Sequence, residues 1–396
     1  MNRYGNGGIS LFTCFLPKVE FGAGKVNHIA DYVKGMGTKA VIAIDPYMHS
    51  IGLGDRIASQ LKKVFIESVI FSDIEPNPSC FKVDEMAKRA KAEQCDFVIA
   101  IGGGSAIDFG KGLAVMVNGR GSSWDYTERN DHEVLRPGSD TLPLIAIPTT
   151  SGTGSESTPF SVLNNPALKE KSTIVNERIF PRIAIVDPEL MISMPSKITA
   201  STGFDAFAHA LESFISLKAN PFTTMVSKEA MSIVVRNLPE AVANGGNVKA
   251  RENLAWASTL AGAAIAHIGV TLPHSLAQPV GGMFGVPHGD SIAACMVNVL
   301  EVSWQSDLEK FAAISTIIDP SISSLTLRQR AEKCPELVSR LLSDINLHVK
   351  FSTFGMTEND IDKATSIALT GYYFDIECHP KKVTREEIRQ IYKACL

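Results

Sequence analysis

The hydrophobic positions in the first half of the chain form short continuous runs, and amphipathic stretches separate them. Such runs are typical of strands buried on both faces of a parallel sheet, and the stretches between them are typical of covering helices. The pattern therefore predicts an α/β domain built on a parallel sheet. Strands are predicted at 39–44, 64–71, 96–101, 144–147 and 183–186, with helices at 51–63 and 80–94.

After Pro188 the strand-like runs nearly vanish and long helical patterns take over. This change predicts a boundary near Asp187 and Pro188, so that an α/β domain occupies residues 1–187 and an all-helical domain occupies residues 188–396. Helices are predicted in the second domain at 199–217, 221–243, 248–267, 289–303, 326–342, 360–369 and 384–394.

Composition narrows the class of protein. Hydrophobic residues make up 45% of the 396 residues and charged residues 20%, which excludes a disordered chain. The net charge of -4 leaves no basic surplus for nucleic acid. The seven cysteines show no pairing framework, and neither a signal peptide nor a membrane-spanning window is apparent. We therefore expect a cytoplasmic protein with no nucleic-acid or membrane partner.

Two loops rich in glycine and hydroxyl groups follow predicted strands. The first is GGGS at 102–105, and the second is PTTSGTGSE at 148–156. Glycine lets backbone N–H groups approach a phosphate closely, and a helix N-terminus adds partial positive charge. The first loop alone is as consistent with a tight structural turn, because the GxGxxG fingerprint is absent. Both loops at one edge of a parallel sheet favour nucleotide binding.

Asp45 ends the first clear strand. A carboxylate at this place can accept hydrogen bonds from ribose hydroxyls and would repel a 2′-phosphate, which favours NAD over NADP. The alternative is a strand-end residue that only starts the turn into Pro46.

Four residues of the second domain form a candidate metal site. Asp205 and His209 are four apart in a helical pattern, so they share a face. Between His274 and His288 lie glycines and prolines that we expect to break any single helix, so these two histidines reach the site from different elements. Each residue alone is more typical of a structural position. Together, three imidazoles and one carboxylate favour iron(II) or zinc over calcium.

Long motifs identify a family resemblance. GGGSAIDFGKG at 102–112, PTTSGTGSE at 148–156, GFDAFAHALE at 203–212 and PHSLAQPVGGMFGVPHG at 273–289 resemble the iron-dependent (group III) alcohol dehydrogenases, in order and over nearly the whole chain. The resemblance implies an N-terminal Rossmann-like dinucleotide-binding domain and a C-terminal helical metal-binding domain, with the active site between them. It also implies NAD and Fe²⁺ (or Zn²⁺) as cofactors and a homo-oligomer, specifically a dimer.

By the same resemblance, the metal ligands are Asp205, His209, His274 and His288. Val162 lies where an apolar residue backs the nicotinamide. The expected cofactor contacts are Asp45, Asn77, Gly103, Gly104, Ser105, Thr149, Thr150, Thr153, Val162 and Lys171.

One departure from the family pattern concerns the chemistry, while another, His379-Pro380-Lys381 in place of Asn-Pro-Arg, is assigned no function. Many members carry a second histidine four residues after the third ligand, where this chain has Gln278. Glutamine cannot act as an acid or base near neutral pH, but it can hold a substrate oxygen. His267 is the candidate replacement for proton transfer, because it would share a face with His274 if one helix carried both. The alternative is that His267 is a packed or solvated helix residue.

The implied function is a metal-dependent, NAD(H)-linked alcohol dehydrogenase that reduces a short polar aldehyde such as sulfoacetaldehyde or lactaldehyde. Sulfoacetaldehyde reductases occur in the family. The alternative is a short-chain alkyl alcohol, butanol or diol dehydrogenase. A dehydroquinate synthase-like lyase is disfavoured because residues 265–288 contain no Lys or Arg, and a non-catalytic nucleotide-binding protein would be expected to lack metal ligands. The residues expected to set the substrate are Phe160, Ile265, His267 and Gln278.

Overall fold

The computed structural model describes residues 12–129 and 133–396. Its N-terminal part contains a six-stranded parallel sheet with the strand order β1-β8-β5-β4-β2-β3, and an antiparallel hairpin, β6–β7. The strands are β1 (Lys18–Phe21), β2 (Lys39–Ile44), β3 (Glu67–Phe71), β4 (Phe97–Gly102), β5 (Leu144–Pro148), β6 (Phe160–Asn165), β7 (Glu170–Val175) and β8 (Ile183–Val186). The helices of this part are α1 (Ile29–Tyr32), α2 (Pro46–Ser50), α3 (Leu53–Lys63), α4 (Cys80–Ala92) and α5 (Gly104–Met116).

Aliphatic residues on both faces of the central strands explain the sheet. Ile99 of β4 pairs with Ile42 of β2 and Ile145 of β5, and all three are fully buried in one core cluster. Their neighbours Val41 and Val98 point to the opposite face and belong to a second cluster. Helices therefore cover both faces, and the predicted parallel sheet is confirmed.

The helical part follows Val186. It consists of α6 (Ser196–Ile215), α7 (Pro221–Ala243), α8 (Val248–Ile268), α9 (Leu272–Phe284), α10 (His288–Ser303), α11 (Leu308–Ile318), α12 (Leu327–Glu332), α13 (Cys334–Asp344), α14 (Ile361–Gly371), α15 (Tyr373–Cys378) and α16 (Arg385–Ala394). Phe204 and Phe207 of α6 are fully buried in the largest core cluster, so α6 is the central helix of this part. The predicted all-helical architecture is confirmed.

The boundary predicted at 187/188 lies between β8 and α6, and the exact division into domains stays a prediction. Residues 1–11 and 130–132 of the predicted first domain lie outside the described residues.

The sequence pattern missed β1 and the hairpin β6–β7. β1 reads Lys-Val-Glu-Phe and lies at the edge of the sheet, where charged side chains reach solvent and no apolar run is needed. The third strand begins at Glu67 rather than residue 64, because Phe65 has a φ of 61°, outside the range of a strand. The helix predicted at 326–342 is two helices, and Pro335 lies in the first turn of the second.

The expectation that no single helix connects His274 and His288 is confirmed, because α9 ends at Phe284 and α10 begins at His288. The break lies at residues 285–287 rather than at Pro279, through which α9 continues, and Gly285 has a φ of 68° that suits a left-handed helix cap. The chain also bends by 100° between α8 and α9, at Gly269 with a φ of 73°. His267 therefore does not share a helix face with His274.

Within the described ranges, no single helix is long and apolar enough to cross a membrane. The bent pair α8 and α9 meets the criteria of length and composition only when the two helices are taken together.

Candidate active site

A cavity of about 720 Å³ lies between the sheet part and the helical part. Its walls combine residues that follow β4 and β5, residues of the hairpin β6–β7, and residues of the helices. The predicted site residues that line it are Asn77, Gly104, Ser105, Thr153, Val162, Lys171, His209, His267, His274, Gln278 and His288. The four positions expected to set the substrate, Phe160, Ile265, His267 and Gln278, all line it.

The four predicted metal ligands meet at one point. Oδ1 of Asp205 lies 3.6 Å from Nε2 of His209, 3.6 Å from Nε2 of His274 and 3.5 Å from Nε2 of His288. One ligand atom from each residue lies within 4.8 Å of the others. Oδ1 of Asp205 and Nε2 of His274 are buried without a hydrogen-bond partner. Buried, unpartnered acceptors that converge fit a divalent transition metal such as iron(II) or zinc.

Helix packing brings these ligands together. Asp205 and His209 lie one turn apart on α6, His274 lies in the first turn of α9, and His288 is the first residue of α10. A Cβ atom at Gly289 would overlap the carbonyl oxygen of Ser201, so only glycine allows α10 to begin against the backbone of α6. That close approach places His288 beside Asp205.

Glu212 is a functional residue that the sequence analysis missed. Nδ1 of His274 donates to Oε1 of Glu212, and Oε2 of Glu212 accepts from the backbone N–H of Thr271 at 2.7 Å. Glu212 is fully buried. Its carboxylate fixes the ring of His274 with Nε2 towards the cluster, the arrangement that supports a metal-ligating histidine. The signal was present, since Glu212 follows Asp205 by two helical turns on the same face of α6.

The charges of the cluster are strongly coupled. Burial raises the pKa of Asp205, but the adjacent imidazoles outweigh burial and hold the pKa below its ordinary range. Burial lowers the pKa of His209, and it lowers that of His288 to about 3. Burial also opposes the charge on His274, yet the carboxylates of Glu212 and Asp205 outweigh it and raise the pKa to about 10. An ionised carboxylate and neutral imidazoles are the states that ligate a metal, so ligation by His274 would release a proton.

The two glycine loops pack directly against each other. They follow β4 and β5, which are neighbours in the sheet, so both lie at one edge. A Cβ atom at Gly104 would lie 2.5 Å from Cγ2 of Thr153, and one at Gly103 would lie 3.3 Å from Thr150. Thr149 donates its backbone N–H to the carbonyl of Gly102 at 2.9 Å. The start of the 13-residue helix α5 thus faces the cavity with the geometry that suits a phosphate.

A buried ammonium, that of Lys111, ties these loops together and was also missed. Lys111 is fully buried on α5. Its Nζ lies 2.7 Å from the carbonyl oxygens of Ser155 and Phe160, and 2.9 Å from that of Thr158. The hydroxyls of Ser155 and Thr158 lie at 2.8 Å and 3.1 Å. Burial lowers its pKa to about 8. Lys111 therefore fixes the wall from the second loop to the start of β6.

Asp108 completes this network. Its Oδ1 accepts from the hydroxyl of Ser155 at 2.6 Å, and its Oδ2 accepts from the backbone N–H of Val162 at 3.0 Å. Val162 is the residue expected to back the nicotinamide. Burial raises the pKa of Asp108, while the positive charge of Lys111 opposes that rise.

Asn77, Ser105 and Lys171 form a hydrogen-bonded group on the same wall. The backbone N–H of Asn77 donates to Oγ of Ser105 at 3.1 Å, and Nζ of Lys171 donates to Oδ1 of Asn77 at 2.8 Å. Asn77 has a φ of 55°, which asparagine tolerates. Burial lowers the pKa of Lys171 to about 8. Three expected cofactor contacts from distant parts of the chain thus lie together.

Asp45 lies beside the first glycine loop but does not line the cavity. A Cβ atom at Gly102 would lie 2.8 Å from Cβ of Asp45. Oδ1 of Asp45 accepts from the backbone N–H groups of Tyr47 and Met48 at 2.9 Å and 3.2 Å, so the residue caps α2. The turn-forming interpretation is therefore present in the structure, and a second carboxylate oxygen is left for a ribose.

Gln278 and His267 differ in how their polar atoms are engaged. Gln278 lies one turn after His274 on α9, and its buried Oε1 has no hydrogen-bond partner in the described part of the chain. Nδ1 of His267 lies 2.7 Å from the carbonyl of Ala263, and its Nε2 accepts from the backbone N–H of Phe15 at 2.8 Å. This is the pattern of a neutral imidazole with both nitrogens occupied, which leaves no free nitrogen for proton transfer.

Two family models together match most of the chain. A model described as "Iron-containing alcohol dehydrogenase" matches residues 17–188. A model described as "Fe-containing alcohol dehydrogenase family, C-terminal" matches residues 199–396.

Named relatives and solved structures agree with these models. The chain is 33% identical to the NAD-dependent methanol dehydrogenase of Bacillus methanolicus, over 96% of this chain and 99% of that protein. An archaeal halo-thermophilic alcohol dehydrogenase from a Red Sea brine pool has a TM-score of 0.93 and 32% identity, over 99% of this chain and 100% of that one. Sulfoacetaldehyde reductase from Bifidobacterium kashiwanohense, solved with NAD⁺, has a TM-score of 0.83 and 30% identity, over 98% of this chain and 99% of that one. The predicted fold and enzyme class are confirmed.

Proposed function

Because the chain belongs to the iron-containing alcohol dehydrogenase family, we propose that it is a metal-dependent, NAD(H)-linked reductase of short polar aldehydes such as sulfoacetaldehyde or lactaldehyde. The observation that supports this best is a single cavity lined by three of the metal-site histidines, Gln278 and residues of both glycine loops. Relatives named for NAD-dependent methanol oxidation and for sulfoacetaldehyde reduction support the cofactor and the range of substrates.

The residues of the helical wall hold the metal and the substrate. Asp205, His209, His274 and His288 would bind Fe²⁺ or Zn²⁺, which when bound supplies Lewis-acid polarisation of a carbonyl group. Gln278 donates an amide N–H to the substrate oxygen and so orients the carbonyl carbon towards the nicotinamide.

The residues of the sheet wall bind the dinucleotide. Backbone N–H groups of Gly103, Gly104 and Ser105 bind the pyrophosphate at the start of α5. The carboxylate of Asp45 accepts from the ribose hydroxyls and disfavours a 2′-phosphate. The remaining contacts are Asn77, Thr149, Thr150, Thr153, Val162 and Lys171, of which Val162 backs the nicotinamide ring.

The side chain of Gln278 cannot supply the proton that converts the reduced carbonyl oxygen into a hydroxyl group. His267 is also a poor donor, because both of its ring nitrogens are engaged by backbone groups. We infer that the proton reaches the product oxygen from solvent in the cavity or from the ribose hydroxyls of the cofactor. His267 then serves as a wall of the substrate pocket.

A second candidate substrate class is a short alkyl alcohol or a diol. Phe160, Ile265 and Ile268 line the same cavity and would favour an apolar chain. The cytoplasmic location and the dimeric state stay predictions.

The test is a kinetic comparison of aldehydes of similar size. The protein is loaded with Fe²⁺ or Zn²⁺ and assayed with sulfoacetaldehyde, lactaldehyde, propanal and butanal, with NADH and NADPH in turn. We expect the highest kcat/KM with a polar aldehyde and NADH. A preference for butanal would favour the alkyl-alcohol alternative, and no reduction of any aldehyde would contradict the proposed function.

A further inference from the structure

Two charged residues on the helical side of the cavity have no role in the function described so far. Lys218 lies in the loop between α6 and α7, and Asp375 lies on α15. Both line the cavity that His209 and His274 also line. Neither belongs to a motif that the sequence analysis recognised.

Lys218 forms no close ion pair with a carboxylate, although its positive charge opposes the rise that burial causes in the pKa values of Asp375 and Cys378. Among the described residues, no Asp or Glu oxygen lies within 4.0 Å of its Nζ in an ion pair. Instead, Nζ lies 3.3 Å from the centroid of the Phe374 ring. An ammonium group on an aromatic face is held in place and can still donate hydrogen bonds to an anion. Lys218 therefore presents an available cation to the cavity.

The backbone that carries Lys218 is fixed on both sides. The N–H of Leu217 donates to the carbonyl of Cys378 at 2.8 Å, which ties the loop to the end of α15. The N–H of Lys218 donates to Oγ of Ser216 at 3.2 Å, and Nζ of Lys310 donates to the carbonyl of Ser216 at 3.1 Å. The loop is thus positioned before a ligand arrives, so binding costs little ordering.

The other cations that line the cavity already have partners. Nζ of Lys171 donates to Asn77. Arg129 forms an ion pair with Glu170 at 2.6 Å. Lys218 is therefore the available cation of this cavity within residues 12–129 and 133–396.

Of the carboxylates that line the cavity, only Asp375 could oppose the binding of an anion at Lys218. Glu128 pairs with Arg136, and Asp108 accepts from Ser155 and Val162. Asp375 forms no ion pair with Lys218 within 4.0 Å, and burial raises its pKa to about 7. At neutral pH its negative charge is therefore only partial and opposes an anion less than an ordinary carboxylate would.

We propose that Lys218 binds the anionic group of the substrate, so that the substrate class is short aldehydes that carry a sulfonate, carboxylate or phosphonate. This proposal rests on the proposed function, because it concerns how the enzyme binds the anionic end of an aldehyde whose carbonyl group lies at the metal cluster. An ammonium that donates to an anion forms a charge-assisted hydrogen bond, which a neutral aldehyde cannot replace.

The test replaces the charge and compares two substrates. The Lys218→Gln variant of the metal-loaded enzyme is assayed with sulfoacetaldehyde and with neutral propanal. We expect KM for sulfoacetaldehyde to rise by about 10-fold or more, the usual scale for a lost charged hydrogen bond. KM for propanal and KM for NADH should not change. Lys218→Arg should retain part of the affinity, because it restores the charge.

Lys228 offers a matched control. Its Nζ also lies over an aromatic ring, 5.3 Å from the centroid of Phe214, but it borders an outer groove rather than the cavity. Lys228→Gln should leave both KM values unchanged. The wild-type enzyme gives a second measurement, since KM for sulfoacetaldehyde should rise with ionic strength while KM for propanal should not.

The outcomes separate this proposal from the proposed function. Equal changes of both KM values in Lys218→Gln, or no change in either, would overturn the role of Lys218 while aldehyde reduction stands. Absence of any aldehyde reduction by the wild-type enzyme would contradict the proposed function and this proposal with it. Asp375→Asn should lower KM for sulfoacetaldehyde, because it removes the opposing charge, and an increase would count against the proposal.

Discussion

The two walls of the cavity are built by different means. On the sheet wall, the backbone of the glycine loops lies close to the cavity beside side chains such as Val162, and the loops meet where Gly104 leaves room for Thr153. On the helical wall, side chains make the surface, and Asp205 and His274 converge from separate helices. In a site made of side chains, the substitution of one ligand removes a large share of the binding affinity. In a site made largely of backbone groups, many contacts share the affinity, so one substitution removes less of it.

The largest effect is expected from His274→Ala on the helical wall. The variant loses one of four ligands, so bound metal per chain should fall sharply. Turnover should fall by about 1000-fold or more, because Lewis-acid polarisation supplies several kcal/mol. NADH affinity should persist, since the sheet wall is untouched. Metal analysis, NADH fluorescence titration and aldehyde reduction measure the three quantities. Unchanged metal content and unchanged turnover would refute the metal site.

A smaller effect is expected from Glu212→Gln, which keeps all four ligands. The change weakens the hydrogen bond that orients His274, so metal affinity should fall by about 10- to 100-fold. Excess metal should restore turnover, which it cannot do for His274→Ala. The control is Glu336→Gln, a residue paired with Lys333 on the surface. A Glu212→Gln variant with wild-type metal affinity would show that Glu212 only packs.

A substitution in the sheet wall should weaken the binding of NADH and leave the binding of the metal unchanged. Lys111→Met removes the cation that binds Ser155, Thr158 and Phe160, so the second loop should shift. We expect KM for NADH to rise by about 10-fold, a loss of roughly 1.4 kcal/mol, with metal content unchanged. The free energy of unfolding should also fall by about 3–5 kcal/mol, because the buried carboxylates of Asp108 and Glu156 lose the nearby positive charge that opposes the effect of their burial.

Arg251→Met is the matched control for Lys111→Met. Arg251 is also fully buried and donates to the carbonyls of Gly245 and Met194 at 3.0 Å and 2.8 Å, but it does not line the cavity. Its loss should lower stability without raising KM for NADH. If both variants raised KM for NADH equally, the effect of Lys111 would be general destabilisation.

The comparison also explains what the sequence could predict. The central strands were predictable because Ile42 and Ile99 belong to unbroken apolar runs. The four residues that converge in the cluster could be named from the sequence because they lie in the long motifs at 203–212 and 273–289. α9 was not predictable from its composition, because Pro279 sits inside a helix whose buried residues Leu276 and Val280 hold it in the core. Tertiary packing there outweighs local propensity.

The roles of Lys111 and Lys218 could not be predicted from the sequence for a different reason. Lys111 donates to carbonyls of a loop far along the chain, and Lys218 lies on the ring of Phe374. Such contacts depend on how the two parts fold together, and no local spacing encodes them. Glu212 was the exception, since its place on the face of Asp205 was readable from the helical period.

The smallest effect is expected from Asp45, which lies beside the first glycine loop and outside the cavity. Its charge should favour NADH over NADPH, and Asp45→Asn removes that charge while keeping an acceptor that caps α2. The preference for NADH, as the ratio of kcat/KM values, should narrow by about 5-fold, the scale of one screened charge interaction near water. Asp45→Ser should behave in the same way, because serine also caps helices. Metal content and unfolding temperature should match the wild type in both variants, which separates the charge from the cap. Equal use of NADH and NADPH by the unmodified protein would contradict a role of Asp45 in cofactor choice. An unchanged ratio of the two kcat/KM values in Asp45→Asn would do the same, and Asp45 would then serve only to form the turn into Pro46.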